Sequence, residues 1–277
     1  MITPTTHTPT RLSACFEALR AAHRKALIPY LSAGFPHQEW TVPLMHTLVA
    51  AGADILELGI PFSDPMADGP VIQKAGERAL QGGMNTAGVL ACVSQFRKKN
   101  AHTPIVLMGY ANPMESYEAE HGQGRFVRDA AKAGADGLLI VDYPPMACSA
   151  LSTQLAENKM DLIFLLAPTS TTERMEEVGH LATGYVYYVA LKGVTGASTL
   201  DVNQVTERLP LIRQHVSVPI GVGFGISDAQ SAQAVAQVAD AIIIGSKVVS
   251  LIDQATLAQS QATVTDFIRV VRTALDT

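Results

Sequence analysis

Charge is scarce in this chain, and so are the marks of a nucleic-acid partner, a membrane span or an oxidising compartment. Charged residues make up 16% of the 277 positions, against roughly 25% in an average globular protein. With a mean hydropathy of +0.19, much of the sequence must be interior or interface. The net charge is −5, and basic residues cluster nowhere beyond Arg97-Lys98-Lys99. That run reads as the solvated end of a helix, and the charge balance argues against nucleic acid as the partner. Cys15, Cys92 and Cys148 are widely spaced, odd in number and form no CxxC pair. They read as free thiols in a reducing compartment, not as a disulfide frame or a zinc site. The eight histidines show no ligand spacing, and no metal is expected. No stretch approaches the roughly eighteen apolar residues that span a bilayer. Met1 to Thr10 is rich in Thr and Pro without an apolar core, which reads as a flexible tail and not as a secretory signal. A soluble, cytoplasmic protein with no membrane partner is the expectation.

What is present is a beat. Short aliphatic runs alternate with Ala-rich stretches of helical period. The strand candidates are Ala26–Leu31, Asp54–Leu58, Pro104–Met108, Gly137–Val141, Asp161–Leu166, Gly184–Val189, Val218–Val222 and Asp240–Ile244. Helices are expected over 38–51, 71–81, 86–99, 124–133, 147–159, 172–181, 201–215, 228–238 and 246–252, with one more near 264–275 and one at 11–23 before the first strand. Ala51-Gly52-Ala53-Asp54, Ala133-Gly134-Ala135-Asp136 and Val238-Ala239-Asp240 repeat one phrase between helix and strand. Glycine there can take the left-handed conformation that stops a helix, and the Asp suits a tight turn. Near-continuous aliphatic strands separated by helices imply a parallel sheet covered on both faces. Eight units without a linker favour a (β/α)8 barrel, read as a single α/β domain over 11–277 with an extra N-terminal helix. A miscounted strand would leave an open, flavodoxin-like sheet.

The most informative segment runs from Ile55 to Pro70. Ile55, Glu57 and Gly59 share one strand face and Leu56 and Leu58 the other. Glu57 is thus held among apolar neighbours, where ionisation is penalised. A structural Glu paired with Arg or Lys is the alternative, but the strand has no basic neighbour and the loop adds acid, Asp64 and Asp68. In a barrel the loops after the strands build the active site, so Glu57 and Asp68 are candidates for an acid/base carboxyl and a charge stabiliser. Asp64, between Ser63 and Pro65, looks more like a turn former, and Asp68-Gly69-Pro70 also has turn character. Val222-Gly223-Phe224-Gly225-Ile226-Ser227 and Gly245-Ser246 follow the last two strands, where barrels frequently bind phosphate. Gly193-Val194-Thr195-Gly196 follows the sixth strand as a candidate lid. A GxGxxG fingerprint fails, because its third glycine would fall on Ile226 or Asp228. Neither glycine loop contains Lys or Arg, so backbone donors are expected to hold the phosphate.

The run Leu56-Glu57-Leu58-Gly59-Ile60-Pro61-Phe62-Ser63-Asp64-Pro65-Met66-Ala67-Asp68-Gly69-Pro70 resembles the signature of the tryptophan synthase α subunit family. Met108–Pro113, Gly193–Gly196, Gly223–Ser227 and Gly245-Ser246 extend the resemblance over essentially the full length. It implies a lyase that splits indole-3-glycerol phosphate into indole and glyceraldehyde 3-phosphate. Glu57 would be the general acid/base and Asp68 the stabiliser of positive charge at the indole nitrogen. Tyr187 matches a tyrosine beside this pair, although Tyr185 shares its face. Tyr30, Ile72, Tyr110 and Phe224 would line the indole slot. Gly196, Gly225, Gly245 and Ser246 match phosphate contacts, and Thr195 a lid residue that reaches towards Asp68. The chain departs from the family in Leu191-Lys192, where members carry Arg-Ser, and in Gly109, an extra residue relative to some members. The resemblance also implies a β subunit that holds pyridoxal phosphate, in an αββα heterotetramer, with no cofactor in this chain. A stand-alone indole-releasing lyase and a catalytically silent, phosphate-ligand-binding regulatory barrel are the alternatives.

Overall fold

The computed structural model of the protein describes residues 9–190, 202–223 and 225–277. Eight parallel strands pair in chain order and the eighth closes on the first. They are β1 (Ala26–Ser32), β2 (Leu56–Gly59), β3 (Ile105–Gly109), β4 (Gly137–Ile140), β5 (Asp161–Leu166), β6 (Val186–Val189), β7 (Ile220–Gly223) and β8 (Ala241–Ile244). This is the expected (β/α)8 barrel. Helix α1 (Arg11–Ala21) comes first, then α2 (Thr41–Ala51), α3 (Pro70–Gln81), α4 (Thr86–Arg97), α5 (Ala111–His121) and α6 (Arg125–Ala133). The second half adds α7 (Ser149–Glu157), α8 (Thr172–Leu181), α9 (Val202–Ile212), α10 (Ala229–Ala236), α11 (Ser246–Ile252) and α12 (Leu257–Leu275).

Alternation along each strand feeds two cores. Ile28, Ile55, Val106, Leu139 and Ile163 belong to an inner cluster. Leu27, Leu56, Leu58, Leu107 and Ile242 belong to an outer one shared with the helices. Helix α1 completes the inner cluster with Leu12, Phe16 and Leu19, whose i, i+4, i+7 spacing puts them on one helix face. Its start is set by Thr10, whose hydroxyl accepts from the Ser13 N–H at 3.1 Å.

The repeated Gly-Ala-Asp phrase does more than turn the chain. Gly52 and Gly134 close their helices at φ of 119° and 102°, backbone that favours glycine. The Asp that follows then accepts an N–H from the preceding strand. Asp54 takes Leu27, Asp136 takes Ile105 and Asp240 takes Ile220, each at 2.8 Å. An arginine pairs with each carboxylate: Arg272 with Asp54 at 3.0 Å, Arg97 with Asp136 at 2.6 Å and Arg213 with Asp240 at 2.9 Å. Asp136 is the most enclosed of the three and also holds Arg11 at 2.6 Å. Asp136→Ala removes the charge partner of the Arg97 guanidinium, which keeps only carbonyl acceptors at Gly134, Asn100 and Thr103, and takes away the acceptor of the Ile105 N–H. A loss of about 3–5 kcal/mol is expected, read as a lower urea midpoint; a midpoint within experimental error of wild type would show that these groups find other partners.

Several element boundaries differ from the sequence expectation, and three of the differences are instructive. Helix α5 is not among the helices expected from the sequence. Pro113 is in the first turn, where its missing N–H would have had no intrahelical partner anyway. Helix α12 starts seven residues earlier than expected, at Leu257, capped by the Thr256 hydroxyl on the Gln259 N–H at 3.3 Å. Its first turns are polar, and buried Ser260 instead donates to the Ile252 carbonyl at 2.7 Å. Strand β2 begins at Leu56 and not at Asp54, because the Asp54 and Ile55 N–H groups share the Leu27 carbonyl and pairing towards β3 starts only with the Leu56 N–H on the Pro104 carbonyl, at 3.0 Å.

Candidate active site at the carboxyl ends of the strands

Register brings Glu57 into the barrel. It lies opposite Tyr30 on β1 and Val106 on β3, at inward-facing positions. The chain then leaves β2 through a short loop, and Asp68 stands just before the N-cap residue of α3, Gly69. Glu57 and Asp68 line the same cavity, of about 380 Å³, within the roughly 300–1,000 Å³ usual for small-molecule sites. Met108, Val141, Leu165 and Ile72 supply apolar wall. The loops after β7 and β8 bring Gly225, Ser227, Gly245 and Ser246.

The two carboxylates sit in different surroundings. Glu57 is 1% exposed. Burial pushes it up to about 7, against the counter-effect of a hydrogen bond from Tyr185. The Tyr185 hydroxyl donates to Glu57 Oε1, while Oε2 is buried without a partner among the described residues. Tyr185 is itself fully buried, which pushes its hydroxyl far up and keeps it a proton donor. Phe16 of α1 packs on its ring with centroids 6.0 Å apart. Asp68 is only half-buried; desolvation raises it to about 6, and a hydrogen bond with Tyr110 works the other way. Near neutral pH, then, Glu57 has substantial protonated population while Asp68 is mostly ionised.

Two tyrosines are seated by two glycines. A Cβ on Gly59 would collide with the ring and hydroxyl of Tyr30, and one on Gly223 with those of Tyr187. Each tyrosine therefore lies over the neighbouring strand, and the absence of a side chain there sets its place on the cavity wall.

Of the residues singled out from sequence, Glu57, Asp68, Tyr30, Ile72, Tyr187, Gly225, Gly245 and Ser246 come together around one cavity. Tyr110 does not line it. Its hydroxyl accepts from the Ala67 N–H at 3.0 Å and its ring packs on Phe62, 5.4 Å between centroids. It braces the loop that carries Asp68 because Gly109 ends β3 and Tyr110 already caps α5. Thr195, Gly196 and Phe224 lie outside the described residues, as do Leu191-Lys192. Sequence reasoning left Tyr185 and Tyr187 open; the structure places Tyr185 against Glu57 and Tyr187 on the cavity wall. It missed Met108, Val141 and Leu165, although counting by twos along each strand from an inward residue would have found them. It also missed Lys247, which lies past the glycine loop in the first turn of α11. Among the described residues, no group of three or more His, Cys, Asp or Glu could hold a metal ion, and no helix is long and apolar enough to cross a membrane.

The family profile described as tryptophan synthase alpha chain matches residues 16–275. The chain belongs to that family. Among its curated relatives, the tryptophan synthase alpha chain of Delftia acidovorans is 59% identical over 266 residues, covering 96% of this chain and 99% of the relative. Tryptophan synthase subunit alpha from Legionella pneumophila superposes with a TM-score of 0.88 at 40% identity, over 97% of this chain and 99% of that one. A chain of Mycobacterium tuberculosis tryptophan synthase gives 0.85 at 34% identity, over 98% and 100%. The resemblance read from the run Leu56–Pro70 is borne out over nearly the whole length. As a tryptophan synthase alpha chain the protein serves tryptophan biosynthesis.

Proposed function

We propose that the protein cleaves indole-3-glycerol phosphate to indole and glyceraldehyde 3-phosphate, with Glu57 and Asp68 as its catalytic residues. The observation that carries this reading is the pair of carboxylates on one cavity wall, one enclosed and one half-buried. Protonated Glu57 delivers its proton to indole C3, which makes the ring an indoleninium. Ionised Asp68 stabilises the positive charge on the ring nitrogen. The bond between C3 and the glycerol carbon then breaks, and its electron pair returns to the ring. The hydroxyl on that carbon becomes the aldehyde, and its proton goes to the Glu57 carboxylate, which is thereby reset. Tyr185 positions Glu57 through Oε1 and leaves Oε2 for the exchanged proton. Tyr30, Ile72 and Tyr187 would hold the indole and Gly225, Gly245 and Ser246 the phosphate; in the reading from sequence Phe224 joins the indole slot, Gly196 the phosphate contacts, and Thr195 a lid that reaches towards Asp68.

The same reading gives the chain a partner, a β subunit that carries pyridoxal phosphate and receives the indole in an αββα assembly. Met66 and Met146, 85% and 78% exposed, stand after β2 and β4, on the face where the cavity opens. Exposed apolar side chains around the mouth suit a covered surface. The deciding assay mixes purified protein with indole-3-glycerol phosphate and follows indole with and without β subunit. Stimulation by the β subunit is the expected result. Equal turnover without it would favour a stand-alone lyase, and phosphate-ligand binding without any indole would favour a silent regulatory barrel.

A further inference from the structure

We infer that Lys247 is the cation that binds the phosphate group of the substrate, an inference that rests on the proposed cleavage reaction. The cavity is rich in negative charge. Glu57 and Asp68 both line the cavity, and a phosphate monoester brings about −1.5 to −2 more near neutral pH. Backbone amides and hydroxyls from Gly225, Ser227, Gly245 and Ser246 can donate hydrogen bonds to phosphate oxygens but do not neutralise a dianion. Among the described residues lining the cavity, Lys247 is the only cation. It lies beside Gly245 and Ser246, on the side of the mouth formed by the β7 and β8 loops, while Asp68 comes from the β2 loop.

Lys247 is also uncommitted. No salt bridge within 4.0 Å joins it to a carboxylate of the described residues. Its ammonium lies 6.0 Å from the centre of the Phe267 ring on α12, a contact of modest strength at a partly exposed site. Its effect on Asp228 is the weakest of several there. A flexible four-carbon stem can move from the Phe267 face to a phosphate at little expense. Lys247 is not among the groups that shift Glu57 or Asp68, so it does not hold Glu57 in its ionised form.

The test compares wild type with Lys247→Ala and Lys247→Arg in steady-state indole formation, with β subunit present. Lys247→Ala is expected to raise KM for indole-3-glycerol phosphate about tenfold with kcat within twofold, and Lys247→Arg to restore most of the affinity. The inhibition constant of glycerol 3-phosphate, used as a phosphate probe, should rise in parallel, while binding of uncharged indole stays unchanged. The wild-type KM should rise with potassium chloride more steeply than that of Lys247→Ala. An unchanged KM in Lys247→Ala, or a fall in kcat alone, overturns the assignment. So does a loss of glycerol 3-phosphate and indole binding together, which marks a disturbed fold. Wild-type protein that forms no indole but binds glycerol 3-phosphate through Lys247 refutes the proposed reaction and not the phosphate contact.

Discussion

Glu57→Gln is expected to lower indole formation by about 10³-fold or more while glycerol 3-phosphate binds within about twofold of wild type. Glutamine keeps the shape and can still accept from Tyr185, but it has no proton to give to carbon. The substitution carries a second, independent signature in stability. Burial raises the Glu57 carboxyl from 4.5 to about 7, so the folded protein binds this proton more tightly than the unfolded chain. Below about pH 4.5 the group is neutral in both states and carries no penalty. As pH rises through 7 it becomes charged in the folded state as well, and the stability it contributed is lost. The shift corresponds to about 3 kcal/mol. Glu57→Gln escapes that loss and should be more stable than wild type at pH 8 but not at pH 4.5, as thermal melts at the two pH values would show. Loss of ligand binding together with activity would instead make Glu57 a structural residue.

Asp68→Asn comes next in size, with kcat down about 10²–10³-fold and a native melting curve. In kcat/KM the wild type should trace a bell. The rate climbs as Asp68 ionises near 6 and falls as Glu57 loses its proton near 7. The substrate phosphate also titrates near 6, so the profile of wild type alone does not assign the acid limb. Asp68→Asn does, because the substrate contributes equally to both enzymes. The acid limb should flatten in the variant while the basic limb stays. An acid limb that survives unchanged belongs to the phosphate, and wild-type turnover in the variant would remove Asp68 from the mechanism.

Much of this site was legible before any coordinates. Glu57 announced itself because a carboxylate alternating with Ile55 and Gly59 between leucines has nowhere polar to go. The glycine loops after the last two strands stood out as a candidate anion site because glycine lets backbone amides approach a ligand, and their residues do line the same cavity as Glu57. Tyr110 was harder. A large ring after a strand reads equally as wall or brace, and its hydroxyl chose Ala67 through a contact 43 residues away in sequence. Helix α5 stayed hidden because proline in the first turn and proline in a loop look alike locally, and only Met114 of its residues is buried.

The strand–helix rhythm, the inward face of each strand and the two acids at the end of the second one follow from the amino-acid order. They depend on local rules: side chains alternate along a strand, glycine ends helices, and apolar residues leave water. The tertiary structure alone decided which of Tyr185 and Tyr187 holds Glu57, that glycines at 59 and 223 seat Tyr30 and Tyr187, and that Lys247 joins the lining of the cavity. Those choices depend on how far neighbouring strands are offset and on which groups burial strips of water, and neither is set until the barrel closes.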